Sequence, residues 1–584
     1  MKNIVLSFFS LFLSSELSFS QTPDHWENII DATDTWKYII PSSELPANWT
    51  SPDFDDSAWL SGPGGIGYGD NDDNTMVPSG TISVFIRKNF ILSDASTLIS
   101  AILYADYDDA FVAYLNGTEI ARANIGTIGV RPAFNATSVN AIEPASVSGD
   151  NPPRFAIDNT KLASAIIDGE NTLALQFHNY LVTSSDLSST TYFFGGFSNS
   201  SAGYRSPPSW FTTPPEITSH LPLVVINTWG GYIPAEPKVD AWIKVINKGP
   251  GQINNVNDPG TDFEGNIGIE IRGQSSQMFP KKSYGFETRN VLKEDSSVSL
   301  LGMPEESDWI LSAPFSDKSM MRNPLTFYLG NRMGRWQPRS QWCELYLNGD
   351  YQGVYFLIEK IKRDKDRVNI DKLFPTELAA DSLTGGYIVK VDKLDGLTSN
   401  GYFTTNPVSY GNARHYAFTY VYPKVAEIMP AQKTYLKNFL TDLENALNGA
   451  GFKNPVSGFR AYMNEFSFIE FQIIQELTNN VDGYRYSTFF HKEKDSDGGK
   501  LIAGPLWDFD LCYGNVDYSP RNLATNQWLY TNYGPHEGYP MHWWARLMQD
   551  PDYVNLLKWR YTGLRMGPFN TDSIFEYLDK IRPC

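Results

Sequence analysis

The sequence predicts a multidomain chain in which an all-β jelly-roll or sandwich domain precedes a mixed α+β domain. Three observations carry that expectation. Short runs of alternating polarity recur up to about residue 200, a Pro-, Ser- and Thr-rich stretch occupies 201–221, and helix-period stripes then appear among strands. The chain has 584 residues, enough for about three domains. The expected boundaries are 1–20 for an export signal, 21–200 for the sandwich, 201–221 for a stiff linker and 222–584 for the α+β domain.

In the first part, Ser83–Leu92, Leu98–Ala105, Phe111–Leu115, Thr172–His178 and Tyr192–Gly196 alternate as strands between Gly, Asn and Asp. Asn116-Gly117 marks a hairpin, because both central positions of that turn need positive φ. Asp70, Asp72 and Asp73 carry the hard oxygens that Ca²⁺ takes, and equally describe a solvated loop. Beyond the linker, Leu223–Asn227 and Asn266–Arg272 read as strands. Lys318–Gly334 reads as a helix with Asp317 as its N-cap. Leu436, Leu440, Leu443 and Leu447 trace an amphipathic stripe, and Phe466–Leu477 is apolar nearly all round, as a buried helix would be. A further helical pattern runs up to Cys584, so the parent sequence is expected to continue.

Hydrophobic residues at 41% and aromatics at 14% permit sizeable cores. The net charge of −19 argues against nucleic acid and anionic membrane surfaces as partners. Lys2, the apolar run Ile4–Leu13 and the small residues Ser18 and Ser20 before Gln21 have the layout of an export signal. That run is too short to span a membrane, and no later segment approaches ~18 uncharged apolar residues. A secreted, extracytoplasmic protein is expected. Cys343, Cys512 and Cys584 have no paired spacing, so isolated buried thiols are expected over a disulfide framework or zinc site, with Cys343–Cys512 a permissible bridge.

Two segments carry the chemistry, Asn-Asn-Val-Asp-Gly at Asn479–Gly483 and Trp-Asp-Phe-Asp at Trp507–Asp510. Asp482 and Asp510 lie 28 positions apart, separated by a strand-like run and a Gly-rich turn. Acids on successive loops can converge on one divalent cation and one nucleophilic hydroxyl, the pair that phosphoryl transfer needs. Upstream, Arg272-Gly-Gln-Ser275-Ser276 is a small-residue turn whose N–H and hydroxyl groups can approach phosphate oxygens. Lys281 and Lys282 open the next strand. Lys282 shares a face with Tyr284 and Phe286 and is the better placed to reach a nucleotide, although exposed hairpin lysines are the plain alternative. Arg322 can pair with a carboxylate of the site or with a surface acid, and Glu359 opens a charged connection after a strand.

The ordered set Arg-Gly-x-Ser-Ser, Pro-Lys-Lys-Ser-Tyr, Leu-Leu-Gly-Met-Pro, Arg-Asn, Leu-Tyr-Leu-Asn-Gly-x-Tyr-x-Gly-Val-Tyr, Glu-Lys-Ile-Lys-Arg, Gly-Gly-Tyr-Ile, Asn-x-Asp and Gly-Pro-x-Trp-Asp-Phe-Asp resembles the spore coat protein H (CotH) kinase family over about residues 222–560. The resemblance implies an atypical protein-kinase-like fold that binds ATP with Mg²⁺ and phosphorylates Ser or Thr of partner proteins. It places Asp482 at the catalytic aspartate and Asp510 at the metal-binding aspartate. Asp508, two positions earlier, would share a face with Asp510 on an extended segment and serve as second ligand. Asn515 stands near a position where members often carry an acid, a weaker neutral ligand, with Asp517 two residues on. Lys282 and the Arg272–Ser276 turn, with Ser275, Ser276, Lys281, Arg322 and Glu359, would attend the nucleotide. The region from Trp26 through Phe54–Trp59 and Gly64–Gly67 to Asp108–Gly117 resembles galactose-binding-like modules of secreted bacterial enzymes, which implies a carbohydrate ligand. The alternative is an inactive, glycan-binding extracellular scaffold; glycoside hydrolysis by paired acids is a third reading.

Overall fold

The computed structural model describes residues 22–581, apart from 70–72, 127–128, 140, 199–201, 214–216, 406, 408–415, 517, 519–522 and 532–539. The expected export signal, the Asp70 and Asp72 of the acidic loop, Asp517 and Cys584 therefore lie outside the described residues. Contacts divide the chain into two compact units. One holds residues up to Glu270 with Glu287–Ser296 and Cys343–Val354; the other holds Ile271–Phe286, Ser297–Trp342 and everything from Tyr355.

The first unit contains a two-sheet sandwich, built from alternation as expected. Its smaller sheet runs in the order His25–Ile30, Ser189–Phe197, Leu98–Tyr107 and Arg154–Ala156. The larger runs Leu60–Pro63, Thr35–Ile39, Ser83–Leu92, Gly169–His178, Ala110–Leu115 and Thr118–Ala123. Asn116 and Gly117 take φ of 48° and 86°, the hairpin geometry their side chains allow. Ile30, Leu103, Phe177 and Phe193 pack between the sheets. Trp49, Trp59, Phe85 and Tyr114 bury the other face of the larger sheet, so Ala110–Leu115 is buried at every position. The Phe54–Trp59 motif is thus a lid: buried Arg87 donates to Asp56 at 2.8 Å and lies 5.1 Å from the Phe54 ring centroid.

The two units do not part at the 201–221 stretch. That stretch is a strap held by aromatic contacts, with Trp210 5.2 Å from both Tyr104 and Tyr192 and Phe211 4.4 Å from Phe194. Tyr204 N donates to buried Glu27 at 2.8 Å. Proline-rich composition signals stiffness but cannot reveal that two aromatics anchor it. Strand Leu223–Asn227 then pairs antiparallel with Val239–Ile246 inside the same unit.

The second unit mixes helix and sheet. A five-stranded sheet runs Tyr402–Thr404, Ala417–Tyr422, Tyr387–Val391, Thr488–Lys492 and Leu501–Ala503. Helix Pro430–Asn448 buries the expected stripe of Leu436, Leu440, Leu443 and Leu447 against Phe418, Phe490 and Trp543. Helix Glu465–Thr478 is buried along most of its length. Ile388 and Phe489 face the opposite side and pack on Ile361, Val368 and Ile370. The expected Lys318–Gly334 helix instead spans Arg322–Arg332. Asp317 is not its N-cap residue: its carboxylate accepts from Ser319 N and Arg322 N in a separate turn, and Met320 at φ 53° interrupts the helix pattern. Cys343 and Cys512 are free, buried thiols. No helix among the described residues is long and apolar enough to cross a membrane.

Candidate functional site

The Trp507–Asp510 segment is a loop fixed from outside by its main chain. Gln337 Oε1 accepts from Leu506 N at 2.6 Å, Asn323 Oδ1 accepts from Phe509 N at 2.7 Å, and Arg322 Nε donates to Cys512 O at 3.0 Å. Phe509 is fully buried and anchors the loop in the core. Asp508 takes φ 67°, so the extended alternation expected to align it with Asp510 does not exist. A left-handed non-glycine residue is costly, and here it turns two carboxylates together by another route. Ser316 Oγ donates to Asp510 at 2.6 Å, and Ser487 Oγ donates to Asp508 at 3.2 Å. Protein crowded around the carboxyl, then the charges of Asp510 and Asp482, hold Asp508 well above the usual carboxylate range, although its side chain keeps an opening to solvent. Asn515 Nδ2 donates to Ser316 O at 3.1 Å and Asp510 O at 2.7 Å, so its amide nitrogen supports the loop backbone.

Asp482 follows helix Glu465–Thr478, which ends on Asn479 at φ 49°. Its carbonyl accepts from Tyr486 N at 3.0 Å, closing a turn that also contains Tyr484 at φ 66°, while Ser487 just after it takes φ 46°. Arg485 approaches its carboxylate at 3.6 Å. Burial raises the Asp482 carboxyl, Arg485 and Lys393 pull it down, and Asp510 and Asp392 push it up. The structure thus brings Asp482, Asp508 and Asp510 into one electrostatic group.

The Arg272–Ser276 turn requires glycine at its centre. Gly273 has φ 107°, and a Cβ there would run into the Ser276 hydroxyl. Arg272 stacks 5.5 Å from the Trp507 ring centroid, which ties the turn to the acidic loop. Lys282 Nζ, favoured from sequence as the nucleotide lysine, donates to Gln277 O at 2.7 Å. Lys281 lies 4.6 Å from the Tyr355 ring centroid. Arg322 pairs with Asp317, and Glu359 is fully buried between Arg339 at 2.7 Å and Arg367 at 3.2 Å. Arg322 and Glu359 are therefore engaged in holding structure. One cation escaped the sequence reading: Lys393 Nζ donates to Ser275 Oγ at 3.2 Å and lies 5.5 Å from the Tyr486 ring centroid. Its only signal is a lysine just past strand Tyr387–Val391, too common to single out.

Asp508 and Asp510 offer hard oxygens of the kind Mg²⁺ takes, and their mutual repulsion is what a cation would relieve. Among the described residues no three His, Cys, Asp or Glu side chains form a group able to hold a metal ion. A Mg²⁺ ion here would rest on two carboxylates and on its ligand's phosphate oxygens, its usual arrangement.

The unit carrying this site mixes helices and strands and presents an acidic pair and a glycine-serine turn. A family model described as CotH kinase protein matches residues 269–583, more than half of the chain, and the chain belongs to that family. No curated protein matches it. Among solved structures, a β-glucuronidase of Bacteroides uniformis is 12% identical over 50% of this chain and 32% of its own, with a TM-score of 0.20. A glycosyl hydrolase family 2 member from Bacteroides cellulosilyticus is 12% identical over 45% of this chain and 33% of its own, TM-score 0.20. A β-glucuronidase from Ruminococcus gnavus in complex with D-glucaro 1,5-lactone is 9% identical over 47% and 44%, TM-score 0.19. The chain spans about a third of the length of the first two. Likeness at that level carries no argument about this protein.

Proposed function

We propose that the chain is an atypical protein kinase, active outside the cytoplasm, that transfers the γ-phosphoryl group of ATP to Ser or Thr hydroxyls of a partner protein. The observation that carries this reading is the joining of Asp482, Asp508 and Asp510 beside the Gly273 turn in a chain of the CotH kinase family. Asp510 and Asp508 would hold Mg²⁺, which when bound supplies charge neutralisation to the phosphates. Asp482 accepts a hydrogen bond from the acceptor hydroxyl and orients its oxygen toward the γ-phosphorus. The bond from that oxygen to phosphorus forms while the bond from phosphorus to the β,γ-bridging oxygen breaks. Its electron pair leaves on ADP, and the hydroxyl proton passes to Asp482. Arg272, Ser275 and Ser276 line the phosphate side of the nucleotide, and Asn515 keeps the Asp510 backbone in place. Alignment and charge do the catalysis, with no covalent enzyme intermediate. Export rests on the layout of residues 1–20.

Calorimetric titration of the whole chain with ATP, with and without Mg²⁺, tests the reading. Mg²⁺-dependent binding in the wild type, weakened about tenfold or more in Asp510→Ala, is the expected result. Binding that ignores both Mg²⁺ and the substitution contradicts it.

A second reading concerns the first unit. It contains a cavity of about 1130 Å³ lined in part by Trp26, Trp242, Tyr346, Lys244, Asp158 and Glu264. Aromatic faces with interspersed acids suit a carbohydrate, whose hydroxyls donate to carboxylates. Glycan binding without any affinity for Mg²⁺-ATP would favour the scaffold alternative over the kinase.

A further inference from the structure

Lys282 and Lys281 open the strand after the turn, and neither is among the charges that act on Asp482 or Asp508. Lys282 Nζ is spent on the Gln277 carbonyl at 2.7 Å, and Lys281 lies over Tyr355. The arginines are also engaged: Arg272 on Trp507, Arg322 on Asp317 and Cys512 O, and Arg485 on Val481 O and Asp482. Lys393 differs. Its ammonium meets one neutral hydroxyl, Ser275 Oγ at 3.2 Å, and one aromatic face, Tyr486. It also acts on the Asp482 carboxylate.

We propose that Lys393 is the cation that neutralises the phosphoryl group during its transfer to the acceptor hydroxyl, and that Lys282 is a strut of the turn preceding its strand. The inference rests on the kinase reading for the identity of the site, and names the group that neutralises phosphate there. An ammonium bonded to a single hydroxyl exchanges it for phosphate oxygens at a gain, because hydrogen bonds between charged partners are about twice as strong as neutral ones. Exchanging the Gln277 carbonyl would cost Lys282 a half-buried contact with the turn. A lysine is suited to the task, being a compact charge on a flexible stem that can follow the phosphoryl group from donor to acceptor. Lys393 donates hydrogen bonds throughout and transfers no proton. Ser275 is released from Lys393 as phosphate arrives and turns its hydroxyl to the same oxygens. The ligand class is a terminal phosphate of a polyphosphate chain.

Inorganic tripolyphosphate with Mg²⁺ is the probe, titrated into the whole chain by calorimetry. Lys393→Met is expected to lose about tenfold or more in affinity, Lys393→Arg to retain most of it, and Lys282→Met to lose less than Lys393→Met. Lys393→Gln separates charge from structure, since glutamine can still donate to Ser275 Oγ. If Gln restores wild-type affinity, Lys393 only docks the turn and the inference is overturned. Wild-type affinity in Lys393→Met, or no tripolyphosphate binding by the wild type, overturns it as well. Tripolyphosphate binding that depends on Lys393, in a protein that transfers no phosphoryl group, supports Lys393 while sinking the kinase reading.

Discussion

At the scale of single residues, Asp508 shows how the site stores its chemistry. Its φ of 67° puts a carboxylate against Asp510 that neither helix nor strand geometry would place there. Crowding and repulsion keep a proton on Asp508 to unusually high pH. A cation must expel that proton, so Mg²⁺-dependent ATP affinity should rise as pH rises; titrations at about pH 6 and about pH 8 check it, and Asp508→Asn should flatten the difference. Asp482 is raised first by burial, and Arg485, Lys393, Asp510 and Asp392 act on it by charge. Lys393 stabilises its ionised form, so Lys393→Met should move the acid limb of the rate profile to higher pH, read from kcat against pH. The meeting of Asp482 and Asp510 was legible because each sits in a compact motif with unusual neighbours. The partner of Lys282 was not legible, because strand alternation gives a face and not a partner, and the Gln277 carbonyl it meets comes from a turn. The reasoning that put Asp508 beside Asp510 used an extended backbone that the loop does not adopt, yet the two do meet.

At the scale of elements, the acidic loop is positioned by the start of helix Arg322–Arg332. Arg322 and Asn323 hold Cys512 O and Phe509 N, so the Arg-Asn pair acts on the loop's backbone. Asn323→Ala leaves Phe509 N without its acceptor. It should cost about 1–3 kcal/mol in urea unfolding and lower kcat more than it raises the KM for ATP. The connection after strand Asp350–Glu359 is closed by a buried network. Glu359 and Arg367 are both fully buried, and Asp308, despite burial, is held below the usual carboxylate range by Lys360 and Lys362. Removing Arg367 leaves Glu359 to Arg339 alone, so Arg367→Met should destabilise by about 1–3 kcal/mol in the same assay. Helix and strand periods gave most of these elements to within a few residues. The aromatic strap at 201–221 and the Asp317 turn were not legible, since both depend on contacts with residues distant in sequence or on a positive-φ residue inside an apparently helical run.

At the scale of the whole molecule, three histidines contribute to the acid limit of stability, His178 and His542 buried and His491 half-buried. Burial lowers His178, His491 and His542 each to about 4. The unfolded chain binds protons at about pH 6.5 and the folded chain resists until about pH 4, so stability is complete above the first value and falls as pH drops toward the second. Thermal melting followed between about pH 7.5 and about pH 4.5 should show a steady loss. The chain's charge of −19 argues against nucleic acid as a partner. The direct test is transfer of radiolabelled γ-phosphate from ATP to protein by the whole chain, by Asp482→Asn and by Asp510→Ala. The account predicts Mg²⁺-dependent incorporation by the wild type, reduced about a thousandfold in both variants, with ATP binding retained in Asp482→Asn. Incorporation at the wild-type rate in both variants would contradict it.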